Sequence, residues 1–182
     1  MKIAITGHSA GIGLALSKVY EERGHQIVGL SRRNGNNIRN LPKILTPIRD
    51  CDMLINNAQS GFGQVELLFA VWDMWQNEKN KTIINISTMM TLQPMNIIQG
   101  IEFDSYRVQK LALEEAAKQL SFKSDNIKIV TVKPGAVATQ PNQKEPEYAD
   151  VNDWANTLVN CLESVGPKFS INEISLGVNH GR

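Results

Sequence analysis

A phenol and an ammonium lie four residues apart in this chain, as Tyr106 and Lys110 within the segment SYRVQK. Residues at this spacing share one face of a helix, and residues 105–122 are predicted to be helical. About 4 kcal/mol brings the pKa of a tyrosine from its ordinary value to near neutrality. One ammonium about 4 Å away supplies an energy of that order at an effective dielectric constant of about 20. The pair could therefore exchange a proton near neutral pH, although most such pairs are only part of a helix surface.

The composition is that of an ordinary globular chain and argues against several functions. The 182 residues are 42% hydrophobic and 20% charged, with a formal net charge of +1. We therefore expect no nucleic-acid partner and no membrane partner, and no apolar run approaches the ~18 residues of a spanning helix. The first apolar run meets Gly7 too early for a secretory signal, and Cys51 and Cys161 are isolated. A cytoplasmic location without a metal site is expected.

Strands alternate with helices along the chain, which predicts an α/β fold with a parallel sheet covered by helices on both faces. We expect a doubly wound, three-layer αβα arrangement that forms a single domain over residues 1–182. The predicted strands are residues 2–6, 26–31, a short strand near Ile38, 52–56, 81–87, 126–132 and 169–176. The predicted helices are residues 11–23, 65–75, 105–122 and 151–162, with a helical turn or two before residue 47.

The predicted helix at residues 65–75 is apolar nearly all round. Leu67, Leu68, Val71, Trp72 and Trp75 exceed what one face of a sheet ordinarily covers. Either this helix is enclosed within the chain or it packs against a second subunit, and the pattern favours the two equally.

A glycine-rich turn follows the first strand and opens the first helix, in the segment TGHSAGIG. Glycine lets the backbone approach a pyrophosphate, which binds the free N–H groups at the helix N-terminus. Glycine clusters also form simple tight turns or the sites of methyltransferases, but the position between strand and helix favours dinucleotide binding. The cofactor-binding residues expected in this turn are Gly7, His8, Ser9, Gly11, Ile12 and Gly13.

The end of the second strand bears on the choice of cofactor. NAD enzymes commonly place an acid there against the ribose 2′-hydroxyl, whereas this chain has Ser31 followed by Arg32. A guanidinium forms charge-assisted hydrogen bonds with a 2′-phosphate. NADP(H) is therefore the preferred cofactor and NAD(H) the alternative, unless the two arginines after Ser31 are only solvated surface.

Five motifs in this order resemble the short-chain dehydrogenase/reductase family. They are Thr6-Gly7-x3-Gly11-Ile12-Gly13, Asn56-Asn57-Ala58, Asn85-Ile86-Ser87-Thr88, Tyr106-x3-Lys110 and Pro134-Gly135-x-Val137-x-Thr139. The resemblance covers most of the chain and implies a Rossmann-like fold. It implies an oxidoreductase that interconverts a carbonyl and an alcohol on a small-molecule substrate. It also implies a homodimer or homotetramer formed through the helix at residues 65–75.

The resemblance implies a role for each matching catalytic position. Tyr106 would be the acid/base, and Lys110 would lower its pKa and bind the nicotinamide ribose. Thr88 matches the hydroxyl residue that holds the substrate oxygen, with Ser87 as the alternative; neighbouring strand side chains point to opposite faces.

The resemblance also implies cofactor contacts outside the glycine-rich turn. Asn57 and Ala58 would line the adenosine side, and Asn37 stands where an adenine-contacting aspartate is expected. The nicotinamide would be faced by Pro134, Gly135, Val137 and Thr139.

Several departures from the family pattern keep other functions open. Thr88 replaces a serine, Gln59 replaces a glycine, and the loop at residues 89–103 is enlarged beside the substrate. The asparagine that many members use to hold a proton-relay water has no clear counterpart. One alternative is an NADP(H)-binding sensor or scaffold without robust chemistry. Another is an epimerase or dehydratase, for which the C-terminal part is short. Residues 140–150 are expected to close over the site as a mobile loop.

Overall fold

The computed structural model describes residues 1–92, 103–123, 126–143, 146–165 and 168–178. Its strands are β1 (Lys2–Thr6), β2 (Gln26–Leu30), β3 (Met53–Asn56), β4 (Lys81–Ile86), β5 (Ile127–Pro134), β6 (Val137–Ala138), β7 (Ala149–Asp150) and β8 (Glu173–Leu176). Its α-helices are α1 (Gly11–Glu22), α2 (Leu41–Ile48), α3 (Gly63–Trp75), α4 (Phe103–Ser121) and α5 (Val151–Glu163). Short 3-10 turns at Arg32–Asn34 and Met89–Thr91 follow β2 and β4.

Six strands form one sheet in the order β2-β1-β3-β4-β5-β8, while β6 and β7 form a separate pair. Every neighbouring pair in the larger sheet is parallel. The chain runs outward from β1 to β2 and then returns to the other side of β1 as β3. In such sheets, ligands bind beyond the carboxyl ends of the strands at the point where the order reverses. The expected site therefore lies above β1 and β3.

Helices cover both faces of the sheet and give it three layers. The core on one face includes Leu16 of α1 and Trp154 of α5, and the core on the other includes Ile44 of α2, Val71 of α3 and Leu113 of α4. Both cores enclose the strands, which explains their continuous apolar runs. The predicted doubly wound αβα fold is confirmed. Among the described residues, no helix combines the length and the apolar character needed to cross a bilayer.

The predicted short strand near Ile38 is wrong. Ile38 is buried, but it lies in a turn in which the Asn40 N–H donates to the Asn37 carbonyl oxygen at 2.9 Å. The Asn34 and Asn37 side chains accept hydrogen bonds from nearby backbone N–H groups at 2.9 and 3.0 Å. Because these side chains satisfy the backbone locally, the segment has no need of a strand partner, and β2 forms the edge of the described sheet.

The apolar helix α3 is largely enclosed by the chain itself. Leu67, Leu68, Val71 and Trp75 are all buried, and the helix packs beside α2 and α4. Most of the apolar surplus that indicated a second subunit therefore lies inside one chain. Phe69 remains 40% exposed on this helix. A homodimer or homotetramer stays a prediction.

Candidate active site

One face of α4 carries three polar residues spaced one turn apart: Tyr106, Lys110 and Glu114. They face the end of β4 and the first residues after it. Each side chain contacts a different one of three successive residues there. Lys110 contacts Ile86, Glu114 contacts Ser87, and Tyr106 lies beside Thr88. The helical spacing seen in the sequence thus becomes a row of polar contacts at the carboxyl edge of the sheet.

The pKa of Tyr106 is raised, in contrast to the expected lowering by Lys110. Burial of the phenol is the larger cause, and the Thr88 hydroxyl partly opposes it by hydrogen bonding to the phenolate. The Lys110 ammonium lies over the ring, 5.4 Å from its centroid, so its charge is not directed at the Tyr106 oxygen. The expectation of an acidified phenol is therefore wrong for this arrangement. Tyr106 is protonated at neutral pH and is suited to donate a proton.

Lys110 is almost fully buried and its ammonium is held by two acceptors. Nζ donates to Gln64 Oε1 and to the Ile86 carbonyl oxygen, each at 2.7 Å. Burial lowers the pKa of Lys110 to about 8, and the Glu114 carboxylate opposes this shift. A buried cation whose pKa lies close to neutral pH is typical of functional sites.

Gln64, at the start of α3, is a functional residue that the sequence analysis missed. Besides accepting from Lys110, its side chain donates to the carbonyl oxygens of Asn56 at 2.7 Å and of Ile86 at 3.2 Å. Asn56 Nδ2 donates in return to the Gln64 carbonyl oxygen at 2.9 Å and to Asn85 Oδ1 at 3.0 Å. Gln64 thereby ties β3, β4 and α4 together. In the sequence it precedes the first apolar residue of the helix and resembles an ordinary helix-start residue.

The two candidate hydroxyl groups point to different partners. The Ser87 hydroxyl donates to the Glu114 carboxylate, so its proton is committed to Glu114. Thr88 lies beside Tyr106, and its Oγ1 accepts from the Met90 N–H at 3.3 Å. Of the two, Thr88 has the hydroxyl that faces the phenol.

The glycine-rich turn has a geometry that requires glycine. Gly7 has a φ of +71°, and its N–H donates to the Leu30 carbonyl oxygen at 2.7 Å. A Cβ on Gly13 would overlap the Gly7 carbonyl oxygen. The Thr6 hydroxyl oxygen accepts from the N–H groups of Asn57 and Ala58 at 2.8 and 2.9 Å. The turn between β1 and α1 is thus fixed against the end of β3, where the strand order reverses.

A cavity of about 290 Å³ opens beside this turn. Among the predicted cofactor residues, those that line it are Gly7, Ser9, Ser31, Arg32, Asn37 and Ala58. Arg33 and Asn36 line it as well, although they were not predicted to bind the cofactor. A cavity lined by two arginines at this edge of a parallel sheet fits the phosphates and adenosine of a dinucleotide.

Two predicted cofactor residues support the turn instead of lining the cavity. The His8 ring packs so closely on Gly29 that a Cβ there would overlap it, and its buried Nδ1 has no hydrogen-bond partner among the described residues. The Asn57 side chain donates to the Thr6 carbonyl oxygen at 3.0 Å.

The remaining predicted positions lie on the α5 side of the sheet. A Cβ on Gly11 would be 3.3 Å from the Thr139 side chain, so these two positions are neighbours. Pro134 ends β5 beside β8, and the Gly135 N–H donates to the Leu176 carbonyl oxygen at 2.9 Å. The side chains that pack with the α1–α5 core are those of Ile12 and Val137. Contact of these two residues with a cofactor would therefore come from the backbone.

Solved dehydrogenases have the same fold as this chain, and one of them is a short-chain dehydrogenase. One from Streptomyces avermitilis has a TM-score of 0.77 and 17% identity, covering 97% of this chain and 88% of that one. A 3-alpha-hydroxysteroid dehydrogenase from Pseudomonas sp. B-0831, complexed with NADH, has a TM-score of 0.74 and 19% identity, covering 100% and 96%. An alcohol dehydrogenase from the archaeon Thermococcus sibiricus, complexed with 5-hydroxy-NADP, has a TM-score of 0.73 and 17% identity, covering 100% and 98%.

Sequence similarity agrees with the fold. No protein-family model matches the chain. A 3-ketodihydrosphingosine reductase of Bacteroides thetaiotaomicron is 25% identical over 207 aligned positions, which cover 90% of this chain and 75% of the relative. The chain is thus similar in sequence to a reductase and shares its fold with a solved short-chain dehydrogenase. All of the relatives named here are dehydrogenases or reductases.

Two predicted features of this chain fall partly outside the described residues. The enlarged loop at residues 89–103 includes residues 93–102, and the closing loop at residues 140–150 includes residues 144 and 145. The substrate-facing roles of both loops stay predictions.

Proposed function

We propose that this chain is an NADP(H)-dependent oxidoreductase that interconverts a carbonyl and an alcohol on a small molecule, with Tyr106 as the acid/base. The observation that carries the proposal is the placement of the Tyr106 phenol beside the Thr88 hydroxyl and the Lys110 ammonium. All three lie at the carboxyl edge of the sheet, to which the cavity beside the glycine-rich turn also opens. Such a group offers a proton and a hydrogen bond to one substrate oxygen.

The proposed preference for NADP(H) rests on Arg32 and Arg33, which line the cavity at the end of β2. Guanidinium groups favour a 2′-phosphate, and no carboxylate lines this cavity among the described residues. Of the solved structures, one is complexed with NADH and another with 5-hydroxy-NADP, so they do not decide between the two. The ratio of kcat/KM for NADPH to that for NADH tests the preference directly, and a ratio at or below one contradicts it.

A bound nicotinamide cofactor supplies or accepts the hydride, and the protein directs the proton. In the reducing direction the protonated Tyr106 donates its proton to the substrate oxygen. The Thr88 hydroxyl orients that oxygen and stabilises the phenolate that remains. Lys110, held by Gln64 and the Ile86 carbonyl oxygen, places a positive charge beside the ring. Most of the rate gain comes from holding the reactants in line.

The second candidate is a nucleotide-binding sensor or scaffold of the same fold. The commitment of the Lys110 ammonium to Gln64 and Ile86 is the observation that favours it, because only one of its three N–H donors is then left for a ligand. The intact row of Tyr106, Lys110 and Thr88 favours catalysis. Cytoplasmic location and homo-oligomerisation are further predictions that accompany either function.

Two measurements on the purified chain separate these candidates. NADPH binding is followed by fluorescence, and NADPH oxidation is followed by absorbance with a broad panel of ketones and aldehydes that includes 3-ketodihydrosphingosine. The oxidoreductase proposal predicts binding together with turnover of at least one class of carbonyl. Binding without turnover of any of them contradicts it and supports the sensor or scaffold.

A further inference from the structure

Glu114 is a partly buried carboxylate that the proposed mechanism does not use. It lies on α4 one turn beyond Lys110, and its side chain is only 15% exposed. Three donors from other elements point at it. The Ser87 hydroxyl and the Thr91 hydroxyl donate to Oε1, the latter at 2.7 Å, and Lys133 Nζ lies 3.1 Å from Oε2. An ionised carboxylate is the side chain that accepts hydrogen bonds without offering a competing donor.

Two of these donors bracket the turn that carries Thr88. Ser87 precedes Thr88, and Thr91 closes the turn, where its N–H approaches the Thr88 carbonyl oxygen at 3.3 Å. The Thr91 hydroxyl lies 2.8 Å from the same carbonyl oxygen. Because Glu114 holds both ends of so short a turn, it limits the positions that the Thr88 hydroxyl can take relative to Tyr106.

Charge links Glu114 to two lysines on different elements. On β5, Lys133 lies between Glu114 and Glu173 of β8, with 2.9 Å to the latter. Burial alone would lower the pKa of Lys133, but the two carboxylates outweigh it and raise that pKa. On α4, the Glu114 charge favours the ammonium form of Lys110. The other groups that face Lys110 are the Tyr106 phenol and two uncharged acceptors, Gln64 and the Ile86 carbonyl oxygen.

We propose that Glu114 is a positioning residue of this active site, which fixes the turn carrying Thr88 and lies one helical turn beyond Lys110. Its catalytic consequence rests on the proposed oxidoreductase function. Its effect on Lys110 and on the turn does not depend on turnover. An ion pair that only stabilised the fold would lower the melting temperature on removal and would leave the titration of Lys110 and the pH dependence of kcat unmoved.

The test compares Glu114→Gln with Glu115→Gln, a neighbouring carboxylate on the exposed face of α4. Glu114→Gln is expected to lower kcat about tenfold or more, because charged hydrogen bonds to the turn are lost, while the Kd for NADPH stays unchanged. The loss of kcat at alkaline pH is expected to begin at lower pH than in the wild type. Glu115→Gln is expected to match the wild type in all three measurements.

A second measurement does not require activity. The titration of Lys110 is followed by the 13Cε resonance in lysine-labelled protein, assigned with Lys110→Arg. Glu114→Gln is expected to move its midpoint to lower pH. An unmoved midpoint together with an unchanged kcat overturns the proposal. If the wild type has no turnover but Glu114→Gln still shifts the Lys110 midpoint, the proposed oxidoreductase function is refuted and this role of Glu114 is kept.

Thr91→Val keeps the inference testable if Glu114→Gln does not fold. It removes one hydroxyl donor with little change in volume and leaves both charges in place. It is expected to lower kcat and to speed amide exchange at Leu92, whose N–H donates to the Met89 carbonyl oxygen at 3.0 Å. The Lys110 midpoint should stay where it is in the wild type. An unchanged kcat and an unchanged exchange rate overturn the positioning role.

Discussion

At the scale of single residues, Tyr106 shows the difference between proximity and direction. Spacing along a helix places Lys110 beside Tyr106, as expected, but it does not fix where the ammonium points. The ammonium has two acceptors at 2.7 Å, in Gln64 and Ile86, and these satisfy it more fully than the phenol does. The pKa of Tyr106 therefore follows burial and not its neighbour's charge. A protonated phenol suits the reduction of a carbonyl, in which it gives up its proton.

The Thr88 hydroxyl is expected to stabilise the phenolate form of Tyr106. Because this hydroxyl lowers the Tyr106 pKa against the effect of burial, Thr88→Ala should raise that pKa further. Thr88→Ala should also lower kcat about 100-fold, since the donor to the substrate oxygen is lost as well. Steady-state turnover and an ultraviolet pH titration check both effects. Thr88→Ser keeps the hydroxyl and is the matched control, and equal kcat values for the Ala and Ser variants contradict this role.

Gln64 is expected to set the alkaline limit of activity through Lys110. The pKa of Lys110 is lowered to about 8, so its ammonium is present below that pH and is lost above it. Gln64→Leu removes one of the two acceptors, which should lower this pKa further and move the decline in kcat to lower pH. The pH–kcat profile measures the shift. Gln76→Leu, just beyond the other end of the same helix, should leave the profile unmoved; a shift of equal size there would show a general effect of packing.

The sequence identifies some of these residues and misses others for a physical reason. Tyr106, Lys110 and Thr88 stand in motifs with fixed spacing, so each can be found without coordinates. Gln64 and Glu114 act only through contacts between elements distant in sequence. Glu114 continues the one-turn spacing of Tyr106 and Lys110, and that spacing was the available signal.

At the scale of elements, the glycine-rich turn depends on a contact from the neighbouring strand β2. The His8 ring fills the space above Gly29, where a Cβ would overlap it. The φ of Gly29 is not positive, so this glycine is required by the close approach of the ring and not by backbone conformation. Strand β2 thereby fixes the glycine-rich turn, which lines the cavity.

Gly29→Ala is expected to displace His8 and weaken NADPH binding. Overpacking of this kind costs about 1–3 kcal/mol, part of which should appear as a higher Kd measured by fluorescence. The double variant Gly29→Ala/His8→Ala removes the overlapping ring and should recover most of the affinity. If the loss of binding free energy in the double variant equals the sum of the losses in the two single variants, Gly29 and His8 are not coupled.

Most strands can be predicted from the sequence because buried parallel strands have continuous apolar runs that the intervening turns lack. Five of the seven predicted strands begin within one residue of the observed ones. The last begins later, at Glu173, and the short strand near Ile38 does not form. An isolated buried isoleucine among asparagines and a glycine lacks the alternation or run of a strand, and side-chain hydrogen bonds there replace a ladder. The β6–β7 pair is too short to have a sequence pattern.

At the scale of the whole molecule, the reversal of strand order between β1 and β3 assembles the site. It brings the glycine-rich turn, the end of β4 and the first turns of α4 to one edge of the sheet. This arrangement also leaves α3 between α2 and α4, which explains why its apolar residues are covered within one chain. Phe69 of α3, by contrast, is exposed.

The predicted homodimer or homotetramer is testable at Phe69. If α3 packs against a second subunit, an aspartate at this 40% exposed position places a charge in the interface and should dissociate the oligomer. Gel filtration at low micromolar concentration compares Phe69→Asp with the wild type, and Glu66→Gln on the same helix serves as a surface control. A monomeric wild type contradicts the oligomer, and an oligomer that Phe69→Asp leaves intact contradicts the interface.

The most direct test of the account is the turnover of Tyr106→Phe with NADPH and a carbonyl that the wild type reduces. This variant removes one oxygen atom and retains the ring against which Lys110 packs. The account predicts a fall in kcat of about 100- to 10,000-fold, the range for loss of a general acid, with an unchanged Kd for NADPH. A variant that turns over as fast as the wild type contradicts the assignment of Tyr106 as the proton donor.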